Sequence, residues 1–389
     1  MGQALHIQAS RYYMRRSGGR EGFCSGPLAR FTRRVGPGML APMPSRVAIF
    51  TPFAPPAARG NAVTVTRVAK GLSDRGVELR VWDLSVSADT TIAAEVEAYR
   101  PVLVHAFHAY RTGPLALHVA RRTDIPLVVT CTGTDANHDL FDPERAPTVR
   151  RVLEGAARLT AFHTSIADRV TATLPDLRGR FAIVPQSVGL STRETFDLRA
   201  HWRLPPQSSL FLFPAGIRAV KNPAFPLTPL GRLVASIPEI RLLYAGPVLD
   251  PGTGETLRRS LAALPWARHI GVVPHAQMAS LLSQADVVLN CSVSEGGMAN
   301  SVLEALSIGR AVLASDIAGN RSLIDDGSTG FLFGDESEFE RRAAQLVRDP
   351  GLRERLGRAG RELVAQRYSP EREIDGYCDV YRRLVAVPA

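Results

Sequence analysis

Two glycines lie between two glutamates in the segment Ser292-Val293-Ser294-Glu295-Gly296-Gly297-Met298-Ala299-Asn300-Ser301-Val302-Leu303-Glu304. The segment follows an apolar run and leads into a helical pattern. Glycines at a helix start leave main-chain N–H groups unpaired and let a ligand approach the backbone, where the helix dipole adds positive potential. That is anion-binding chemistry. Carboxylates beside such a nest suit hydroxyl groups better than phosphate, so Glu295 and Glu304 point to a ribose or a hexose. Diphosphate and sugar together describe a nucleotide sugar. The plainer alternative is an ordinary helix capped by Ser294, with Glu295 near the dipole.

A second cluster is Gly216-Ile217-Arg218-Ala219-Val220-Lys221-Asn222-Pro223. Arg218 and Lys221 are three residues apart and share a face in a helical turn. One forked guanidinium and one compact ammonium make a diphosphate clamp. Lys70 and Lys221 are the only lysines among 47 basic residues, so a lysine here marks a position where arginine does not serve equally. Asn222-Pro223 reads as the cap and first turn of the next helix. Two solvated surface cations are the alternative.

Weaker signals come from the first half. Gly60 permits close backbone approach and Asn61 can cap a helix. Of His105 and His108, one should face a cleft, next to Tyr110 and Arg111. Thr132-Gly133-Thr134-Asp135-Ala136-Asn137-His138-Asp139 is a polar turn able to bind hydroxyls, or only a turn. Later, Gly319 in Ile317-Ala318-Gly319-Asn320 brings backbone close to a ligand, and Asp325-Asp326-Gly327 reads as a structural turn.

These segments need a scaffold, and the chain supplies one from residue 46 onward. Continuously apolar runs at 46–51, 77–82, 101–106, 126–131, 158–163 and 180–185 read as strands covered on both faces. A polar connector follows at about 187–208. A second set of strands lies at 209–215, 240–245, 269–273, 286–291, 311–315 and 330–333. Helical patterns separate the strands, for example at 62–75, 223–236, 275–284 and 299–309. Ser369-Pro370 starts a last helix. The reading is α/β: two doubly wound, Rossmann-like parallel sheets facing a cleft. Domains are expected at 46–190 (acceptor side), 209–370 (nucleotide-sugar side) and 371–389 (a C-terminal helix), with a linker at 191–208.

Composition narrows the options. The chain has 389 residues, 45% hydrophobic and 22% charged, which excludes wholesale disorder. No run approaches the roughly 20 apolar residues of a membrane span, so no integral membrane segment is expected. Of the net charge of +10, six units sit in residues 1–45, with seven arginines against Glu21. That stretch reads as a disordered basic extension, with Met39 or Met43 as alternative starts, so no nucleic-acid partner is expected. Four cysteines without zinc spacing suit a reducing cytoplasm. There is no G-x-G-x-x-G, P-loop or G-x-S-x-G signature and no divalent-metal spacing, so neither a metal nor a cofactor is expected.

Taken in order, these motifs resemble the GT-B retaining glycosyltransferases of family 4 over nearly all of 46–385. Arg59-Gly60-Asn61, His108-Ala109-Tyr110-Arg111, Gly133-Thr134-Asp135-Ala136-Asn137, the Arg218/Lys221 cluster, the Glu295/Glu304 segment and Ile317–Asn320 carry the resemblance. The match is closest to the group named after glycosyltransferase 1 domain-containing protein 1, and a selenosugar-forming group has a similar loop and clamp. The resemblance implies a nucleotide-sugar donor, UDP by family default, an acceptor of unknown identity and metal-independent retaining transfer. Arg218, Lys221, Glu295 and His108 would act in catalysis. Gly60, Asn61, Gly216, Val273, Gly296, Gly297, Met298, Ala299, Asn300 and Glu304 would join Arg218, Lys221 and Glu295 in holding the donor. Arg111, Thr134, Asp135 and Asn137 would face the acceptor. The last helix would cross back to the first domain. An epimerase on the same architecture and a non-catalytic nucleotide-sugar-binding module are the alternatives.

Three departures from the family pattern stand out. Eight residues, not the usual seven, separate Glu295 from Glu304, so either the glycine loop bulges or Glu295 is displaced. The Arg218–Lys221 spacing is tighter than the common one. Thr132-Gly133 stands where many relatives carry histidine.

Overall fold

The computed structural model describes residues 46–54, 60–86, 89–192 and 194–385. The expected basic extension at 1–45 and Arg59 lie outside the described residues.

Twelve strands form, eleven of them over the expected runs and the ninth sharing only His269 with the run expected at 269–273. The first sheet contains β1 (Val47–Thr51), β2 (Leu79–Asp83), β3 (Leu103–Phe107), β4 (Leu127–Cys131), β5 (Arg158–Ala161) and β6 (Phe181–Ile183), in the order β2-β1-β3-β4-β5-β6. The second contains β7 (Ser209–Pro214), β8 (Ile240–Ala245), β9 (Ala267–His269), β10 (Val287–Asn290), β11 (Ala311–Ser315) and β12 (Phe331–Phe333), in the order β12-β11-β10-β7-β8-β9. Every recorded strand pair is parallel. Helices cover both faces, so the central strands β1, β3, β4 and β10 are buried along their whole length. This is why their sequences are apolar on both faces rather than at alternate positions, with one buried polar residue each, Thr51, His105, Thr130 and Asn290.

The strand order explains where a ligand can sit. In each sheet the order in which strands are added reverses once, between β1 and β3 in the first and between β7 and β10 in the second. Crevices in open parallel sheets form beyond the carboxyl ends of the strands at such switch points. The loops leaving β1, β3, β7 and β10 are those carrying Gly60, His108, Arg218/Lys221 and Glu295.

The last helix, Pro370–Val385, returns to the first sheet. Arg67 donates twice to the Glu373 carboxylate, at 2.8 Å each, and the Ser187 hydroxyl adds a third bond at 2.5 Å. Tyr381 Oη meets His105 Nδ1 at 2.6 Å, and His105 Nε2 meets Thr130 Oγ1 at 2.7 Å. A side chain at Gly71 would strike Ile374, its Cβ coming within 2.4 Å, so the two helices touch closely there.

Some element boundaries differ from expectation. The helix expected at 223–236 begins only at Leu227, and Asn222 does not cap it. Asn222 instead closes a 3₁₀ turn, Ala219–Lys221, in the left-handed region at φ 49°. Asn61 lies inside the helix Gly60–Asp74 rather than capping it. The expected strand 269–273 ends at His269, leaving Val273 in the loop beyond. The glycine loop does not open its helix directly, because Asn300–Ser307 starts three residues after Gly297.

Candidate active site

A cavity of about 350 Å³ lies between the two lobes. Arg218 and Lys221 line it from the 3₁₀ turn after β7, and Ser294, Glu295 and Gly296 from the loop after β10. Gly60, Asn61, His108 and Arg111 line it from the first lobe, together with Thr134 and Asn137. Gly216, Val273, Met298, Asn300 and Glu304 complete the expected set found there.

Glu295 is the most heavily bonded group in the cavity. Its Oε1 accepts from Lys221 Nζ, from Ser292 Oγ at 2.7 Å and from Asn290 Nδ2 at 3.0 Å. Burial pushes its pKa up, but the Lys221 charge and these hydrogen bonds outweigh burial and hold the carboxyl below its ordinary range. A Cβ on Gly319 would come within 2.4 Å of Glu295 Cβ, so Gly319 leaves room for this carboxylate rather than for a ligand. The additional residue before Glu304 is taken up in residues 296–299, which are non-helical, with Gly297 at φ 96°. Glu295 itself still faces Lys221.

Main-chain donors are present as expected. Among the described residues, no protein acceptor is recorded for the N–H groups of Gly296, Gly297, Met298 and Ala299. Their surroundings differ from expectation, however. Gly297 and Ala299 do not line the cavity. Gly297 packs against His163 and Ile166 of the first lobe, and Ala299 is buried in the second lobe's core. The reason is a close docking of the two lobes. A Cβ on Gly296 would fall 2.1 Å from Thr132 O, and one on Gly133 would fall 2.3 Å from Gly296 Cα. Gly133 adopts φ 125°, which side chains disfavour. Asn137 Nδ2 donates to the Glu295 carbonyl at 2.8 Å, and His138 Nε2 shares a hydrogen bond of 2.9 Å with Ser294 Oγ. Gln186 Nε2 donates to Met298 O at 3.2 Å. Asn300 Nδ2 reaches only to 3.5 Å from the Gly60 carbonyl.

Of the two histidines, His108 faces the cavity and His105 is buried in the anchor of the last helix. Burial lowers the His108 pKa, against the raising influence of Asp135 and Asp139. His108 Nδ1 accepts from Arg111 N at 3.3 Å, which leaves its proton on Nε2. The residue sits at φ 88°, a strained conformation for a side-chain-bearing residue. Bonds from His108 N to Thr130 O and from Thr112 Oγ1 to His108 O hold it there.

Asp135 does not face an acceptor. It is fully buried, and its carboxylate accepts main-chain N–H bonds from Ala109 (2.8 Å), Thr132 (3.0 Å) and Gly133 (2.8 Å). It ties the β3 and β4 loops together. Arg111 is exposed and lies over the Phe53 ring at 5.6 Å. Sequence reasoning missed His275 and Gln186, and gave His138 only as part of a polar turn. All three line the cavity, and each pairs with a residue more than 25 positions away. Among the described residues, no group of His, Cys, Asp or Glu is arranged to hold a metal, and no helix is long and apolar enough to cross a membrane.

Two family profiles divide the chain as the two sheets do. A glycosyl transferase 4-like domain matches residues 40–185, and glycosyl transferases group 1 matches residues 194–363. The chain belongs to the GT-B glycosyltransferases. It is 26% identical to glycosyltransferase 1 domain-containing protein 1 of Xenopus tropicalis, covering 82% of this chain and 92% of that one. A D-inositol 3-phosphate glycosyltransferase from Nocardioides is 27% identical over 75% of this chain and 70% of its own length. Among solved structures, sucrose-phosphate synthase of Thermosynechococcus elongatus superposes with a TM-score of 0.73 at 19% identity, covering 88% of this chain and 99% of that one. Anabaena HepE in complex with UDP-glucose gives 0.71 at 13% identity, covering 87% and 100%. These two likenesses concern the fold of this glycosyltransferase.

Proposed function

We propose that this glycosyltransferase moves a sugar from a nucleotide-sugar donor, a UDP-sugar, to an acceptor bound against the first lobe, with retention of configuration and without a metal ion. One observation carries the reading: Arg218, Lys221 and the glycine loop line a single cavity at the switch point of the second sheet. HepE, which shares the fold, binds UDP-glucose.

The chemistry follows from the charges. As the bond between the sugar and the diphosphate breaks, negative charge grows on the leaving oxygens. Arg218, Lys221 and the unpaired amides of Gly296 and Met298, the loop residues of that set that line the cavity, stabilise that charge, which is greater in the transition state than in the bound donor. Both carboxylates of the cavity already have cationic or proton-donating neighbours, Glu295 in Lys221 and Glu304 in His275, which is consistent with a metal-free site. The acceptor hydroxyl enters on the face the diphosphate leaves, and the departing phosphate oxygen takes its proton. His108, whose Nε2 lies 3.8 Å from the buried Asp139 Oδ2, lines the first-lobe side of the cavity beside the acceptor. Docking of Gly133 on Gly296 excludes water from the reacting bond.

A thermal-shift screen with UDP, ADP, GDP and their sugars tests the donor assignment. A diphosphate at 100 times its Kd stabilises by about 2.7 kcal/mol and raises the melting temperature. No shift with any of them would overturn the reading. Conversion of donor alone into an epimeric nucleotide sugar would replace transfer with epimerisation.

A further inference from the structure

His275 opens a 3₁₀ turn, His275–Gln277, just beyond Val273-Pro274 on the rim of the cavity. Its Nε2 lies 3.1 Å from Glu304 Oε1. The other carboxylate oxygen, Oε2, has no protein partner among the described residues, and Glu304 lines the cavity. A carboxylate held by one oxygen and open at the other is a preset acceptor for neighbouring hydroxyls. The side chains of His275 and Glu304 are 37% and 14% exposed, so the pair is accessible from the cavity without being fully solvated.

Resting on the nucleotide-sugar reading, we propose that His275 is a positioning residue of the nucleoside subsite. It holds Glu304 by Oε1 so that Oε2 accepts the 2′ and 3′ hydroxyls of the ribose. His275 acts through Glu304 and does not touch the diphosphate. The charged groups acting on the imidazole are Glu304, from the helix Asn300–Ser307, and Arg67, from the helix Gly60–Asp74. The Glu304 bond raises the His275 pKa, while burial and Arg67 lower it, and the rise prevails. The imidazolium, present in more molecules at pH 6 than at pH 8, holds Glu304 by a charge-assisted bond that is stronger than the neutral one.

The test is titration calorimetry of the full chain with three probes: UDP, 2′,3′-dideoxy-UDP and inorganic pyrophosphate. ADP and GDP run in parallel, because the ribose hydroxyls are common to all. His275→Ala should weaken UDP about tenfold. The same variant should leave dideoxy-UDP and pyrophosphate within about twofold of wild type. His275→Gln keeps a donor but not the charge, so it should restore most of the UDP affinity at pH 8 and less of it at pH 6. An equal loss for all three probes would mean a general structural role and would overturn the proposal. So would unchanged UDP affinity in His275→Ala, which leaves the nucleotide-sugar reading standing. If wild type binds none of the nucleotides, the functional reading fails and the proposal fails with it.

Discussion

Gly133→Ala separates lobe docking from donor binding. The new Cβ would lie 2.3 Å from Gly296 Cα, whereas ordinary contact begins at 3.4 Å. The obstacle is main chain on both sides, so no side chain can rotate away. The glycine loop must therefore retreat by roughly 1 Å, a misplacement of the size that costs about 100-fold in rate when reacting groups are aligned by the scaffold. The left-handed φ of 125° adds about 1–3 kcal/mol of local strain. Arg218 and Lys221 sit on the other lobe's 3₁₀ turn and do not meet the new Cβ, so they keep most of the diphosphate binding while the retreating Gly296 amide loses its share. Steady-state kinetics with a nucleotide sugar, beside UDP titration, should give kcat about 100-fold lower with Kd raised by at most about tenfold, the worth of one amide hydrogen bond. Gly76→Ala is the control, since Gly76 also has positive φ, at 82°, but nothing lies within 4 Å of its would-be Cβ. It should cost about 1 kcal/mol of stability and no activity. Wild-type turnover in Gly133→Ala would refute the view that this contact aligns the site.

Three other outcomes follow. Arg67→Ala leaves the Glu373 carboxylate, which is 1% exposed, without its cation and with only the Ser187 hydroxyl, and should cost about 3–5 kcal/mol in thermal unfolding. Glu295 titrates below its ordinary 4.5, so its contribution is present above that pH and lost as the pH falls through the lower folded value. The stability advantage of wild type over Glu295→Gln, followed by melting at a series of pH values, should therefore be full at pH 7 and vanish in strong acid. Burial lowers His105 to about 3, against 6.5 in the unfolded chain, which therefore binds the proton first. Stability should drain as pH falls from about 6.5 towards 3, and His105→Gln should flatten that limb of the acid-unfolding curve.

The architecture was legible because a strand buried on both faces is apolar on both, and runs such as Val47–Thr51 and Leu127–Cys131, each with a single threonine, have few other uses. The clamp was legible for a related reason: the order of β-α units determines which loops reach the switch point. Side-chain roles that depend on tertiary pairing were not. Asp135 reads in sequence as part of a polar turn able to bind hydroxyls, or only a turn, yet main-chain amides of two loops claim its carboxylate. Asn222-Pro223 looks like a helix start, but the left-handed turn at Asn222 delays the helix to Leu227. Gly296 and Gly297 were expected at the ligand, whereas their missing side chains chiefly let the lobes meet. His275 gave no local signal, because Glu304 lies 29 residues away and only the fold joins them.

Turnover of Arg218→Ala is the most direct measure of the central claim. Arg218 is exposed, lines the cavity and has no carboxylate partner among the described residues, so its removal should leave the fold intact. If it stabilises charge on the departing diphosphate, kcat with a nucleotide sugar should fall by about 10²–10³ while the melting temperature stays unchanged. A variant that folds normally and turns over at the wild-type rate would contradict the account.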